Sequence, residues 1–88
     1  MITFHAEKDA INRKKHGISL ARAADFDFES AQFVVDDRKD YGEARYRFVG
    51  FLDARLHVLV LTYRGDETRV ISLRKASSHE KKEFQQNI

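Results

Sequence analysis

Residues 44–75 read ARYRFVGFL-DAR-LHVLVLTY-RGDE-TRVISLRK, and this run decides the fold. Its segments 44–52, 56–63 and 68–75 are rich in Val, Leu, Ile, Phe and Tyr, side chains that suit a pleated, half-buried surface. The links Asp53-Ala54-Arg55 and Arg64-Gly65-Asp66-Glu67 are too short for a crossover helix, so neighbouring strands must run antiparallel. A fourth apolar segment, 31–36, precedes them. The acidic stretch Asp36-Asp37-Arg38-Lys39-Asp40-Tyr41-Gly42 reads as the connection between, because Asp and Gly suit turns. The expected sheet is an antiparallel meander.

Outward from this run lie helices. Glu7 to His16 has no interior glycine, and Gly17 follows where a left-handed C-terminal cap residue sits. Ser19 is placed as the N-cap of a second helix over Leu20 to Asp27, with Leu20, Ala23 and Ala24 on one face. Both apolar faces are thin, so these helices must lie on the sheet. Ser77 with Glu80 three residues later makes a capping box for a short final helix whose strong apolar residues are Phe84 and Ile88. The expected fold class is α+β, one domain over residues 1–88: an antiparallel meander with two N-terminal helices on one face and a short C-terminal helix.

Composition bounds the chemistry. A chain of 88 residues, 42% hydrophobic and 34% charged with no proline, has one core and is too apolar to be disordered. The absence of cysteine excludes disulfides, thiolate nucleophiles and Cys-based zinc sites. The four histidines are scattered without metal-ligand spacing, so neither metal nor cofactor is expected. The N-terminus lacks a basic-then-apolar signal, and no apolar run approaches the roughly 20 residues that span a bilayer, so the expectation is a cytoplasmic protein with no membrane partner.

The net charge of +2 is unevenly spread: residues 1–24 carry +3, residues 25–43 carry −5 and residues 44–88 carry +4. Basic ends fit a nucleic-acid partner, and equally fit three ordinary solvated surfaces. The acidic middle, with Asp36, Asp37 and Asp40, suits a basic partner better than RNA.

If Tyr63 opposes Thr68 and Leu52 opposes Leu56, alternation gives the sheet two faces. Tyr46, Phe48 and Leu52 then share a core face with Val58, Val60, Ile71 and Leu73, under the helices. The other face collects Arg45, Arg47, Val49 and Phe51, then His57, Leu59, Leu61 and Tyr63, then Thr68, Val70, Ser72 and Arg74. Arginines, an aromatic and hydroxyls around apolar residues suit a nucleic-acid chain: guanidinium groups grip phosphate and Tyr63 offers a ring to a splayed base. Burial of Leu59, Leu61 and Val70 under the final helix or a partner chain explains the same pattern.

The segment Asn12-Arg13-Lys14-Lys15-His16-Gly17-Ile18-Ser19 with Ala23-Ala24-Asp25-Phe26 resembles the opening of the BrnT family of toxins. Gly42-Glu43-Ala44-Arg45-Tyr46 resembles the start of its long middle strand. Leu61-Thr62-Tyr63-Arg64-Gly65-Asp66 and Arg69-Val70-Ile71-Ser72-Leu73-Arg74-Lys75-Ala76-Ser77 with Glu80 resemble its closing hairpin and last helix entry. The resemblance covers nearly the whole chain. It implies a RelE-like fold and a ribonuclease toxin of a type II toxin–antitoxin pair that acts on RNA, blocks translation and growth, and is neutralised by a cognate BrnA-like antitoxin. Two residues depart from the family: His5 stands where Trp is common, and Phe84 near a position where Tyr is common.

Metal-independent RNA cleavage needs a base for the 2′-OH proton, donors for the charge on phosphate, and a proton for the leaving oxygen. Arg64 and Arg74, which match the family pattern, are the expected phosphate-stabilising residues, with Lys75 a weaker one because it points to the core side. His16 and His57 are the natural acid or base, since an unperturbed imidazole titrates near neutrality. His16 reads equally as a cationic cap on the first helix, and His57 as ordinary strand surface. His5 and His79 read as surface residues. Arg13, Lys14, Lys15, Arg45, Arg47, His57 and Tyr63 are the expected RNA contacts, the basic run holding phosphate by charge. Glu43 is a possible base or a turn residue. The rival reading is a non-catalytic protein-binding module using the same face.

Overall fold

A computed structural model describes residues 1–36 and 42–88. The elements are β1 (Ile2–Phe4), α1 (Ala6–His16), a 3₁₀ helix (Leu20–Asp25), β2 (Gln32–Val35), β3 (Tyr46–Leu52), β4 (Arg55–Arg64), β5 (Glu67–Lys75) and α2 (Ser78–Gln86). The four expected strands form, antiparallel as expected, in the order β5-β4-β3-β2. Residues 37–41 of the expected turn, with Asp37 and Asp40, lie outside the described residues; Asp36 is buried rather than offered to a partner.

Three expectations need correction. The sheet is mixed and not a pure meander, because β1 adds parallel to β5, Thr3 opposite Arg69. Three residues of Ile-Thr-Phe beside a helix carry too little pattern to stand out as a strand. Of the two N-terminal helices, the second is a 3₁₀ helix that stops at Asp25. The third correction is register. Asp53 and Ala54 have φ of 52° and 63°, so β3 and β4 are joined by a two-residue hairpin and Leu52 faces Arg55, not Leu56. Tyr63 does face Thr68, but a bulge then sets Leu61 against Val70 and Val60 against Ser72.

These one-residue slips exchange side chains between faces. The core packs Leu59, Leu61, Val70, Leu73 and Leu52 against Leu20, Ala23 and Phe26, with Phe4, Ile18, Tyr46 and Phe48 around it. Leu59, Leu61 and Val70 therefore lie under the N-terminal helices, where Val60 and Ile71 were expected. The opposite side of the sheet carries Val49, Phe51, Val58 and Val60, and α2 lies on it with Phe84 edge-on to Phe51 at 5.7 Å. We call the two sides the core side and the arginine side.

The caps form as the sequence dictates. Gly17, at φ 72°, ends α1 and donates to the Arg13 carbonyl at 2.8 Å. Ser19 caps the 3₁₀ helix, and Asp9 of α1 accepts from the Ser19 hydroxyl and the Leu20 N–H, clipping the two helices together. Ser77 and Glu80 complete the capping box of α2. Asn12, buried on α1, joins helix to sheet: its amide donates to the Leu73 carbonyl at 2.8 Å, accepts from the Leu73 N–H at 3.1 Å, and donates to the Ile18 carbonyl at 2.8 Å. One side chain thus continues the edge of β5 beyond the end of β1.

Candidate functional site

Strand alternation puts Arg47 of β3, with Arg45 just before it, Arg64 of β4 and Arg69 and Arg74 of β5 on the arginine side. Arg64 faces Glu67 at one end of the hairpin, whereas Arg74 faces Val58. Six residues of strand separate them, roughly 20 Å at about 3.4 Å per residue. They share a side of the sheet but cannot hold one phosphate between them, so they anchor two separate groups.

The first group surrounds a cavity of about 440 Å³ lined by His5, Glu43, Arg45, Arg64, Arg69 and Ile71, with Lys8 and Ile11 of α1 on its rim. Arg64 donates from Nη2 and Nε to one Glu43 carboxylate oxygen, at 2.9 and 3.2 Å. Arg69 leans on Glu67 at 3.5 Å, while its Nε–H, shut away from solvent, meets no acceptor among the described residues. A buried guanidinium N–H without an acceptor suits an incoming anion. His5 is the N-cap of α1: its Nδ1 accepts from the Glu7 N–H at 3.3 Å. That contact leaves Nε2 as the protonated nitrogen of the neutral ring.

The second group gathers at the far end. Arg74 grips Glu80 through two bonds, 2.8 and 2.9 Å, and Glu80 also accepts from the Ser77 N–H. The Arg74 guanidinium first, then Ser77, pulls the Glu80 carboxyl to about 2 against the cost of burial. His16 stands close enough to feel Arg74: burial first, then the charges of Lys15 and Arg74, holds its imidazole below the usual 6.5. Both effects disfavour the charged imidazole, the form that a cationic helix cap would need.

The remaining expected residues scatter. Lys75 pairs with His57 and points to the core side, as expected. His57 is buried there, its Nδ1–H donating to the Arg55 carbonyl at 2.8 Å, and the slipped register takes it away from the arginines. Tyr63 is exposed but also on the core side, its ring 5.4 Å from Tyr46. Arg13 is tied to Asp9 at 3.2 Å, and Lys14 and Lys15 are exposed on α1. Sequence reading passed over Arg69, and placed His5 at the surface, where it is exposed; Arg69 carried a usable signal, since it stands in the strand pattern two residues from Glu67.

Among the described residues, no group of three or more His, Asp or Glu stands where it could hold a metal ion, and no helix is long and apolar enough to cross a membrane. No curated protein matches the chain. Residues 4–80 match the family described as "Ribonuclease toxin, BrnT, of type II toxin-antitoxin system". With the match running from β1 into α2, and so through both arginine groups, the chain belongs to the BrnT family of ribonuclease toxins of type II toxin–antitoxin systems.

Proposed function

We propose that this chain cleaves RNA without a metal at the cavity between Arg45, Arg64, Arg69 and Glu43, halting translation and growth until an antitoxin neutralises it. The observation that carries this reading is the convergence of three guanidinium groups on a single cavity with Glu43, paired to Arg64, and Glu7 of α1 in its lining, one of the donors buried without an acceptor. RNA lies along the arginine side of the sheet. Glu43 takes the proton of the 2′-OH, whose oxygen attacks phosphorus as the bond to the 5′-oxygen breaks. Arg64, released from Glu43, and Arg69 donate to the non-bridging oxygens as charge builds there. The cavity is open, so the leaving oxygen takes its proton from solvent. Arg74, Lys15 and His16 hold the strand further along, where phosphate contacts position without reading sequence.

The test is purified protein with total RNA in EDTA. Cleavage is expected, slowed about 10²- to 10³-fold by Arg69→Ala, the usual cost of one preorganised donor. Glu43→Gln should abolish cleavage while RNA still binds. Wild-type rates in both variants would move the chemistry elsewhere, and cleavage lost on adding EDTA and restored by a divalent ion would end the metal-free mechanism.

A further inference from the structure

A hydrophobic surface lies open at the other edge of the sheet. β2 is the outermost strand, and among the described residues nothing pairs with its outer side. Its sequence, Gln-Phe-Val-Val, has no charge and no proline, the devices that ordinarily protect an edge. Asp36 donates its N–H to the Arg45 carbonyl, so by antiparallel alternation the inward-bonded residues are Gln32, Val34 and Asp36. The N–H and C=O groups of Phe33 and Val35 point outward.

The two sides of this edge differ in chemistry. On the core side, Phe33 and Val35 are 60% and 57% exposed and run into Phe48, Tyr46, Phe28 and the 54% exposed Tyr63. On the arginine side the neighbour of Val34 is Arg47, beside a groove that Glu83 and Phe84 of α2 also line. Resting on the toxin–antitoxin reading, we propose that β2 is where the protein antitoxin docks: a segment of it adds as a further strand, with alternating apolar and acidic residues. Its apolar residues cover Phe33, Val35 and the aromatic cluster, and a carboxylate on its other face meets Arg47. Main-chain bonds supply affinity and the alternation supplies register. RNA is disfavoured here because the arginines of the cleavage side, Arg45, Arg47, Arg64, Arg69 and Arg74, lie across the sheet from the aromatic cluster. The cation beside this edge is Arg47, opposite Val34, and it is the group that a carboxylate of the partner strand would meet.

The experiment uses the full chain and its cognate antitoxin protein. Amide hydrogen exchange should show Phe33 and Val35 slowed in the complex, with Val34 unchanged because its N–H is already bonded to β3. Val35→Pro removes an outward N–H without touching the β2–β3 ladder, and Phe33→Glu puts a charge in the apolar side. Each should weaken binding roughly 30-fold or more, the size of a hot-spot loss. RNA cleavage by the free variants should match the parent, so a protein that never cleaves RNA fails the functional reading without touching this one. Unchanged antitoxin affinity in both variants overturns the proposal. So does a loss of self-association with antitoxin binding intact, which would make the edge a contact between copies, or a loss of RNA affinity, which would make the aromatics a base-stacking platform.

Discussion

Asn12 and Gly50 are single residues on which large parts of the packing depend. Asn12 satisfies both main-chain groups of Leu73 in a buried place, and an unmet buried donor or acceptor costs about 1–3 kcal/mol. Asn12→Ala should therefore lower stability by on the order of 3 kcal/mol in denaturant titration. A loss within a few tenths would show that water replaces the amide. A Cβ on Gly50 would sit 2.8 Å from both Ala31 Cβ and Phe26 Cζ, so the residue is a space requirement of the segment crossing the sheet there. Gly50→Ala should cost about 1–3 kcal/mol by overpacking, checked by the same titration. The family-like stretch around Asn12 was legible as sequence, but the partner of Asn12, 61 residues away, was not.

At the scale of elements, the β3–β4 hairpin turns on Asp53 and Ala54, both with positive φ. A left-handed conformation costs a residue with a Cβ roughly 1–2 kcal/mol, so Ala54→Gly should raise stability by about 1 kcal/mol, read as a higher denaturation midpoint with an unchanged slope. Helix α2 is held through Arg74 and the capping box, with Glu80 as the shared carboxylate. Its folded pKa of about 2 lies below the ordinary 4.5, so the folded state favours the charged form. The stability this contributes is present above about 4.5 and is lost as pH falls from there toward 2. Glu80→Gln should lower stability at pH 7 and flatten the acid limb over that window, measured by thermal melts across pH. A parent-like acid limb in the variant would place the sensitivity in another carboxylate. Capping signals are local, and this one was read correctly from Ser77 and Glu80 alone.

Across the whole molecule, hydrophobic and basic surfaces are separated by the sheet itself. The arginine side bears four strand guanidinium groups and Arg45, and the core side bears the packed helices and, beyond them, the exposed aromatics. RNA affinity should therefore fall steeply with salt, the logarithm of the binding constant declining by about 0.7 per phosphate contacted, as a salt series by fluorescence anisotropy would show. Arg47→Ala and Arg69→Ala should each reduce that slope by roughly one contact's worth. A salt-independent affinity would remove phosphate contacts as its source. Arg64 and Arg74, adjacent on paper as strand ends, lie at opposite ends of this surface because antiparallel strands finish in opposite directions.

Wherever structure depends on near neighbours in the chain, the sequence by itself determined it: four of five strands, the Gly17 and Ser19 caps, the Ser77–Glu80 box and the antiparallel links. Its family resemblance likewise ran through contiguous motifs. Tertiary structure decided which side each strand residue faces, because strand periodicity is two and a single-residue change at Asp53-Ala54 or at the bulge after Val60 inverts everything beyond it. That inversion buried His57, Leu59 and Leu61, brought Arg69 to the cavity that Glu43 lines, and carried Tyr63 to the side of Tyr46. Hydrophobic pattern specifies that a strand has two faces; only the turn geometry and the packing of Leu20 and Phe26 against the sheet select which face goes inward.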